Sequence, residues 1–300
     1  INRFIYKRRT VLRHKLEKYP KIQRFVTSLY LKYCSLFGSS HVLPDFYIIG
    51  FVKCGTTSLY EYLISHPNVH PPKGKEIDYF DRLYSRGINW YKMGFPLKFH
   101  RFIATRIFRR PFLTGEATPR YIENPHAPHR IKQVTPNAKF IILLRNPTTR
   151  AFSQYNMNLR NDYEYRNFED ALNHETERIE GRMQKMEQDP GYYSWNYDLY
   201  GYSEHGIYVD KIKHWMEVFP KEQFLIIQSE EFFSDPSKIY NQVLDFLGVE
   251  NFDLDQYEQF RKQDYSESKL PVDTHKKLAD YFKPHNQRLY EFLGRKFDWE

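Results

Sequence analysis

The sequence is poor in the features that mark secreted disulfide scaffolds, zinc proteins and membrane-spanning chains. Only two of its 300 residues are cysteine, Cys34 and Cys54, too few for a disulfide framework or a cysteine zinc site. No Asn-x-Ser/Thr acceptor is free of proline, because Asn146 is followed by Pro147. Long hydrophobic runs are missing too: the partly apolar stretch from Arg24 to Phe37 is interrupted by Lys32 and is too short to cross a bilayer. There is no internal repeat and no long low-complexity tract. His126 and His129 have a His-x-x-His spacing, but Pro125 and Pro128 spoil a regular helical face and no Cys or Asp completes a site, so no metal is expected.

What is present is the balance of a globular domain, with 41% hydrophobic and 27% charged residues. Aromatic residues reach 18%, with 25 tyrosines; most belong in the core, and some suit stacking on sugars or bases. The net charge of +8 favours acidic partners: nucleotides, acidic sugars, nucleic acid or anionic lipid. Residues 1–40 read as a basic, helix-prone arm that ends at Gly38-Ser39-Ser40, and residues 41–300 as one domain. The arm's run Lys7, Arg8, Arg9, Arg13 and Lys15 predicts peripheral membrane contact through the arm, with a solvated helix as the plainer reading.

Beyond the arm, short apolar runs alternate with helical patterns. Asp45 to Gly50 suits a buried strand and Thr56 to Ser65 a helix. Phe112-Leu113-Thr114 leads through a loop to a helix near Pro128 to Val134, and Lys139 to Arg145 runs into a helix from Pro147 to Asn161. Phe224 to Gln228 precedes a helix opened by Asp235 as N-cap and Pro236, with Ile239, Val243, Phe246 and Leu247 on one face. Phe168 to Ser203 is polar and charged, and reads as a surface helix and a long loop. The order predicts an α/β, P-loop-like three-layer fold with a central, mostly parallel sheet flanked by helices. Ligands bind such sheets at the carboxyl ends of the strands.

Chemistry-bearing residues cluster at those ends. Gly50-Phe51-Val52-Lys53-Cys54-Gly55-Thr56-Thr57-Ser58 joins the first strand to its helix, where glycines permit a tight turn and first-turn amides meet an anion. A Walker loop requires Gly-Lys-Ser/Thr. Here Thr56 follows Gly55 and the lysine has moved inside the loop as Lys53, which disfavours ATP chemistry. Cys54 has no histidine partner in the pattern and reads as a small loop residue. The strand Phe140 to Leu144 ends in Arg145, and Ser153 lies about two turns into the following helix. A guanidinium and a hydroxyl together suit a second phosphate.

These residues carry a family resemblance. Lys53 to Ser58 resembles the 5'-phosphosulfate loop of sulfotransferases that use PAPS (3'-phosphoadenosine 5'-phosphosulfate), and Arg145 through Ser153 resembles their 3'-phosphate motif. Lys75-Glu76-Ile77-Asp78-Tyr79-Phe80, Gly115-Glu116-Ala117-Thr118-Pro119, Gly206-Ile207-Tyr208 and the stretch from Pro284 to Trp299 resemble the Golgi heparan sulfate and chondroitin sulfate sulfotransferases. The likeness implies PAPS as donor and PAP as product, with Lys53, Cys54, Gly55, Thr56, Thr57 and Ser58 holding the phosphosulfate and Arg145 and Ser153 the 3'-phosphate. It implies Glu76 as the base that takes the acceptor's proton, and Lys53 as the charge that stabilises the leaving phosphate.

Two departures bear on the acceptor. Ala117 stands where the heparan enzymes carry lysine, and their cysteine-flanked nucleotide loop is replaced by the shorter stretch Gln263 to Asp273, whose Lys269 is a candidate donor contact. Tyr208 opens an amphipathic helix; core packing is its first reading and an adenine contact its second. Lys73, Arg82, Arg120, Tyr121 and Arg160 flank the cleft motifs and are candidates for contacts to an acidic acceptor.

The expected activity is transfer of a sulfuryl group to a hydroxyl or amine of an acidic or neutral glycan or small molecule, with no nucleic acid partner. The alternatives are a P-loop kinase or NTPase, and an inactive polyanion-binding module on the same fold. Cysteine usage and the missing glycosylation signal lean toward the cytoplasm; the other expectation is the Golgi lumen, with an anchor upstream of Ile1.

Overall fold

The computed structural model describes residues 20–258, 260 and 270–299. Four short strands, β1 (Phe46–Ile48), β2 (Gly115–Ala117), β3 (Lys139–Leu144) and β4 (Phe224–Gln228), form one parallel sheet in the order β2-β1-β3-β4. Among the described residues seven helices have eight residues or more: α1 (Pro20–Phe37), α2 (Thr56–Ser65), α3 (Ala127–Val134), α4 (Pro147–Arg160), α5 (Tyr208–Val218), α6 (Pro236–Leu247) and α7 (Val272–Leu293).

The centre of the sheet is apolar throughout because both of its faces are covered. Phe140 to Leu144 of β3 are fully buried. On one face α5 brings Trp215 and Phe219 onto Phe140, while α2 and α6 meet through Tyr62 and Tyr240 in the other helical layer. A smaller apolar cluster joins Phe152 and Tyr155 of α4 to Phe168, Tyr202 and Phe282 of α7, so the outer flank of α4 is held independently of the sheet.

Several boundaries differ from those expected. The strand beside β1 is Gly115–Ala117 rather than Phe112 to Thr114, because β1 pairs with Gly115 onward, while Leu113 forms an isolated bridge to Val69. Gly115 lies flat under the Phe46 ring, where a Cβ would come within 2.2 Å of it. The stretch after Phe168 folds into four short helices, Phe168–Asn173, Glu175–Ile179, Arg182–Gln188 and Trp195–Tyr200, in place of one helix and a long loop. Helix α7 continues through Pro284, a residue that sequence patterns read as a break. Of the arm, α1 is helical to Phe37, and Gly38 is pressed against the Asn89 backbone, 2.4 Å from where its Cβ would stand; residues 1–19, with the basic run, lie outside the described residues.

Candidate active site

The candidate phosphate loop, Gly50 to Ser58, follows β1 and turns into α2 at Gly55, whose φ of 91° lies in the left-handed region that favours glycine. The first-turn amides of a helix have no acceptor within the helix, and Gly55 supplies no side-chain cap to α2. The amino end of α2 therefore presents uncapped donors together with the positive end of its dipole. Helix α4 starts differently: Asn146 accepts from the amides of Thr148 and Thr149, so its first turn is capped, and the groups that face the cavity there are side chains, Arg145 before the helix and Ser153 within it.

Arg145 ties the two segments together. Its Nη1 donates to the main-chain oxygen of Lys53 at 3.2 Å, and its Nε donates to Thr149 Oγ1 at 3.1 Å. Behind it, the Tyr208 hydroxyl donates to the Arg145 carbonyl at 2.8 Å, and Glu230 accepts from the Asn146 amide at 2.8 Å and from Trp299 Nε1 at 3.2 Å. The end of the chain thus braces the turn that carries Arg145.

Both segments open on one cavity of about 710 Å³, which Lys53, Gly55 to Ser58, Glu76, Asp78, Arg120, Arg145, Ser153, Asn158, Arg160 and Tyr163 border. Three residues on its wall, Lys53 (φ 73°), Glu76 (φ 58°) and Asp78 (φ 55°), have left-handed backbones without being glycine. Such conformations are uncommon and persist where the surroundings impose them. The imposing contacts around Glu76 are plain: its amide donates to the Ala117 carbonyl at 3.1 Å. Further along, the amides of Tyr79 and Phe80 donate to the Tyr121 hydroxyl at 2.8 and 3.3 Å. That hydroxyl in turn donates to Glu116 Oε1 at 2.7 Å. Lys75 crosses to the phosphate loop, its Nζ 2.7 Å from Thr57 Oγ1 and 3.5 Å from Glu76 Oε1.

Buried charge lies behind Asp78 and Arg120 of the cavity wall. Asp78 pairs with Arg82, and Arg120 Nε lies 3.0 Å from Asp198 Oδ2. Burial pushes Asp198 up to about 7 against the pull of Arg120. It pushes Asp81 up to about 6, aided by neighbouring Asp78. Glu116 is wholly buried and pushed up to about 7 by desolvation, although hydroxyls of Tyr91, Tyr121 and Thr118 donate to it and work the other way. Next to Tyr163 of the cavity wall, Glu164 accepts from Arg178 and from the Tyr165 and Arg166 amides.

Several expected contacts are placed elsewhere. Tyr121 is fully buried and its hydroxyl serves Glu116 and the Glu76 to Phe80 loop, so it does not face an acceptor. Tyr208 is buried against Phe51 and Trp299, with its hydroxyl on the Arg145 carbonyl. The Cys54 side chain is buried too, with burial raising its thiol to about 11. Arg82 points away from the cavity, stacked over Tyr193 and Trp195, and borders a separate hollow beside Tyr84 and Arg130. Lys73 is exposed and off the cavity wall. Lys269 lies outside the described residues. Asp78, Asn158, Tyr163 and Asp198 were not anticipated; Asp78 sits inside a quoted motif, whereas Asp198 comes from the stretch read as loop and left no signal.

No group of three or more His, Cys, Asp or Glu residues among those described is arranged to hold a metal ion. His126 Nε2 is engaged with the Met186 carbonyl at 2.8 Å.

A sheet with an uncapped helix start, an arginine clamp and a carboxylate on one cavity agrees with what the whole chain resembles: residues 43–279 match the family described as sulfotransferase domain. The chain belongs to the sulfotransferase family. Members of that family take the sulfuryl group from PAPS. The sulfotransferase is 28% identical to the membrane-associated sulfotransferase kil1 of Dictyostelium discoideum over 86% of this chain and 67% of that protein. It is 29% identical to the human heparan sulfate glucosamine 3-O-sulfotransferase 6 over 85% of this chain and 73% of that one. The crystal structure of a sulfotransferase from Alicyclobacillus acidocaldarius superposes on 85% of this sulfotransferase and 98% of its own chain, with a TM-score of 0.65 at 29% identity.

Proposed function

We propose that this sulfotransferase moves a sulfuryl group from PAPS to a hydroxyl of a glycan, with Glu76 as the base. The observation that carries the proposal is that Lys53, the amino end of α2, Arg145, Ser153 and Glu76 all border one cavity.

The residues fit such a donor. PAPS, when bound, supplies a sulfuryl group activated by its attachment to a phosphate leaving group. The uncapped start of α2 and the Lys53 ammonium suit the 5'-phosphosulfate, because fixed donors stabilise charge as it develops there without reorganising. The Arg145 fork and the Ser153 hydroxyl suit the 3'-phosphate. Glu76 is half-exposed on the cavity wall, held by its left-handed backbone, and a carboxylate so placed accepts the acceptor's proton as the oxygen attacks. Lys75 Nζ lies 3.5 Å from that carboxylate and links its position to Thr57 on the phosphate loop.

Arg120 and Arg160 border the same cavity and suit an acidic glycan, and the names of the 3-O-sulfotransferase relatives support that acceptor class. The test is transfer of labelled sulfate from PAPS, in EDTA, to heparan sulfate, chondroitin, a neutral oligosaccharide and a small phenol. Transfer to the acidic glycans is expected. Transfer to none of the four, with hydrolysis of Mg²⁺-ATP instead, would overturn the proposal in favour of an NTPase.

A further inference from the structure

The far end of the sheet from the cavity carries a surface that this chemistry does not use. The segment from Lys98 to Phe112 contains five cations, Lys98, Arg101, Arg106, Arg109 and Arg110, and no acid. Between them stand large apolar side chains turned to solvent: Phe99 is 63%, Phe102 55%, Ile107 62% and Phe108 65% exposed. The segment is built rather than loose. A helical turn, Lys98–Phe102, runs into a π-helical turn, Ile103–Ile107, which closes when the Phe108 amide donates to Ile103 O at 3.0 Å and the Arg110 amide to Ala104 O at 2.9 Å. Arg101 anchors it, 2.6 Å from Asp45.

Asp45 immediately precedes β1, and it also accepts from the amide of Thr114, just before β2, at 2.9 Å. The segment is therefore fixed to the amino ends of the strands, whereas the phosphate loop leaves their carboxyl ends. Helix α1 is held near it through the residues that follow α1 and those that precede Lys98. His41 bridges Leu97, the Val42 amide donates to Pro96 O at 3.0 Å, and Asn89 Nδ2 donates to Ser35 O at 3.3 Å. Helix α1 also lacks any acid and exposes Phe25, Leu29, Tyr33 and Leu36.

Apolar side chains interleaved with cations, and no anion among them, match the two layers of an anionic bilayer surface: acyl chains for the rings, headgroups for the guanidinium groups. We infer that Lys98 to Arg110, flanked by α1, is a membrane-docking face for anionic lipid, which leaves the cavity directed away from the bilayer. No described helix is long and apolar enough to cross a membrane, so this face lies on the surface. The inference stands independently of the acceptor assignment.

The test uses the full chain with an environment-sensitive fluorophore on Phe102→Cys; both native cysteines are buried, so labelling is selective. The probes are phosphatidylcholine vesicles with and without phosphatidylserine. A blue shift on the anionic vesicles only is expected. Arg106→Gln with Arg110→Gln should weaken vesicle binding on the order of thirtyfold, Ile107→Ser with Phe108→Ser should abolish the shift, and both should leave sulfate transfer unchanged. Three outcomes would overturn the inference: sedimentation with vesicles without a shift, meaning that another region binds; sensitivity to the charge pair but not to the apolar pair, meaning a polyanion surface; or a shift that grows with protein concentration in the absence of lipid, meaning self-association.

Discussion

The Arg145 guanidinium donates to the main-chain oxygen of Lys53 at 3.2 Å, although the two residues lie 92 positions apart in the sequence. One side chain thereby clamps the strand that ends in Arg145 to the loop that starts α2, and the same fork faces the cavity. Arg145→Ala should raise the Kd for PAP by roughly thirtyfold to a hundredfold through loss of charge-assisted bonds. Arg145→Lys should restore only part of the loss, because an ammonium lacks the planar fork. Isothermal titration of both variants reads this directly.

Glu76→Gln separates chemistry from binding. The amide keeps the shape and loses the basicity, so kcat should fall on the order of a hundredfold to ten-thousandfold while PAP affinity stays within about twofold, a small fraction of the tenfold that 1.4 kcal/mol represents. Single-turnover kinetics beside PAP titration make the measurement. Equal losses in both would assign Glu76 to donor binding.

Glu164 is buried, next in sequence to Tyr163 of the cavity wall. Burial pushes its carboxyl up, but the bonds from Arg178 and from the Arg166 and Tyr165 amides outweigh it and hold it at about 2, below the ordinary 4.5. The lowered value means that its contribution to stability is complete above about 4.5 and is lost as pH falls toward 2. Glu164→Gln leaves Arg178 without its ionic partner and should cost about 3 kcal/mol or more at neutral pH, read as a shift in urea midpoint.

Glu116 behaves in the opposite sense. Its folded value of about 7 lies above the ordinary 4.5, so between those pH values the folded form keeps a proton that the unfolded chain has released. Stability therefore falls as pH rises from about 4.5 to about 7 and changes no further from this group above that. Asp198 and Asp81, raised to about 7 and about 6, add to the decline. Glu116→Gln should flatten the pH profile of the unfolding free energy over this range by up to about 3 kcal/mol, read from urea midpoints; an unchanged slope would mean that Glu116 is ionised in the folded protein.

Strands β1, β3 and β4, with α2, α4 and α6, were legible because local rules agreed with their burial: apolar runs of strand length, Pro147 and Pro236 at helix starts, and Asp235 accepting from the Lys238 amide at 3.0 Å. The turn from β1 into α2 was legible because Gly55, with its φ of 91°, is set by backbone geometry. What local rules could not supply were tertiary partners. Tyr121 and Tyr208 sit next to site motifs in sequence, yet their hydroxyls turn inward to Glu116 and to the Arg145 carbonyl. Asp198 reaches the site only because the short helix Trp195–Tyr200 packs back over α4, with Asn158 and Gln154 of α4 donating to the Leu199 carbonyl.

The most direct test of the donor site is calorimetric titration with PAP, 5'-AMP and Mg²⁺-ATP, the first two in EDTA. The account predicts metal-independent binding of PAP that weakens when the 3'-phosphate is absent and again in Arg145→Ala. Equal affinity for PAP and 5'-AMP, or preferential binding of Mg²⁺-ATP, would contradict it.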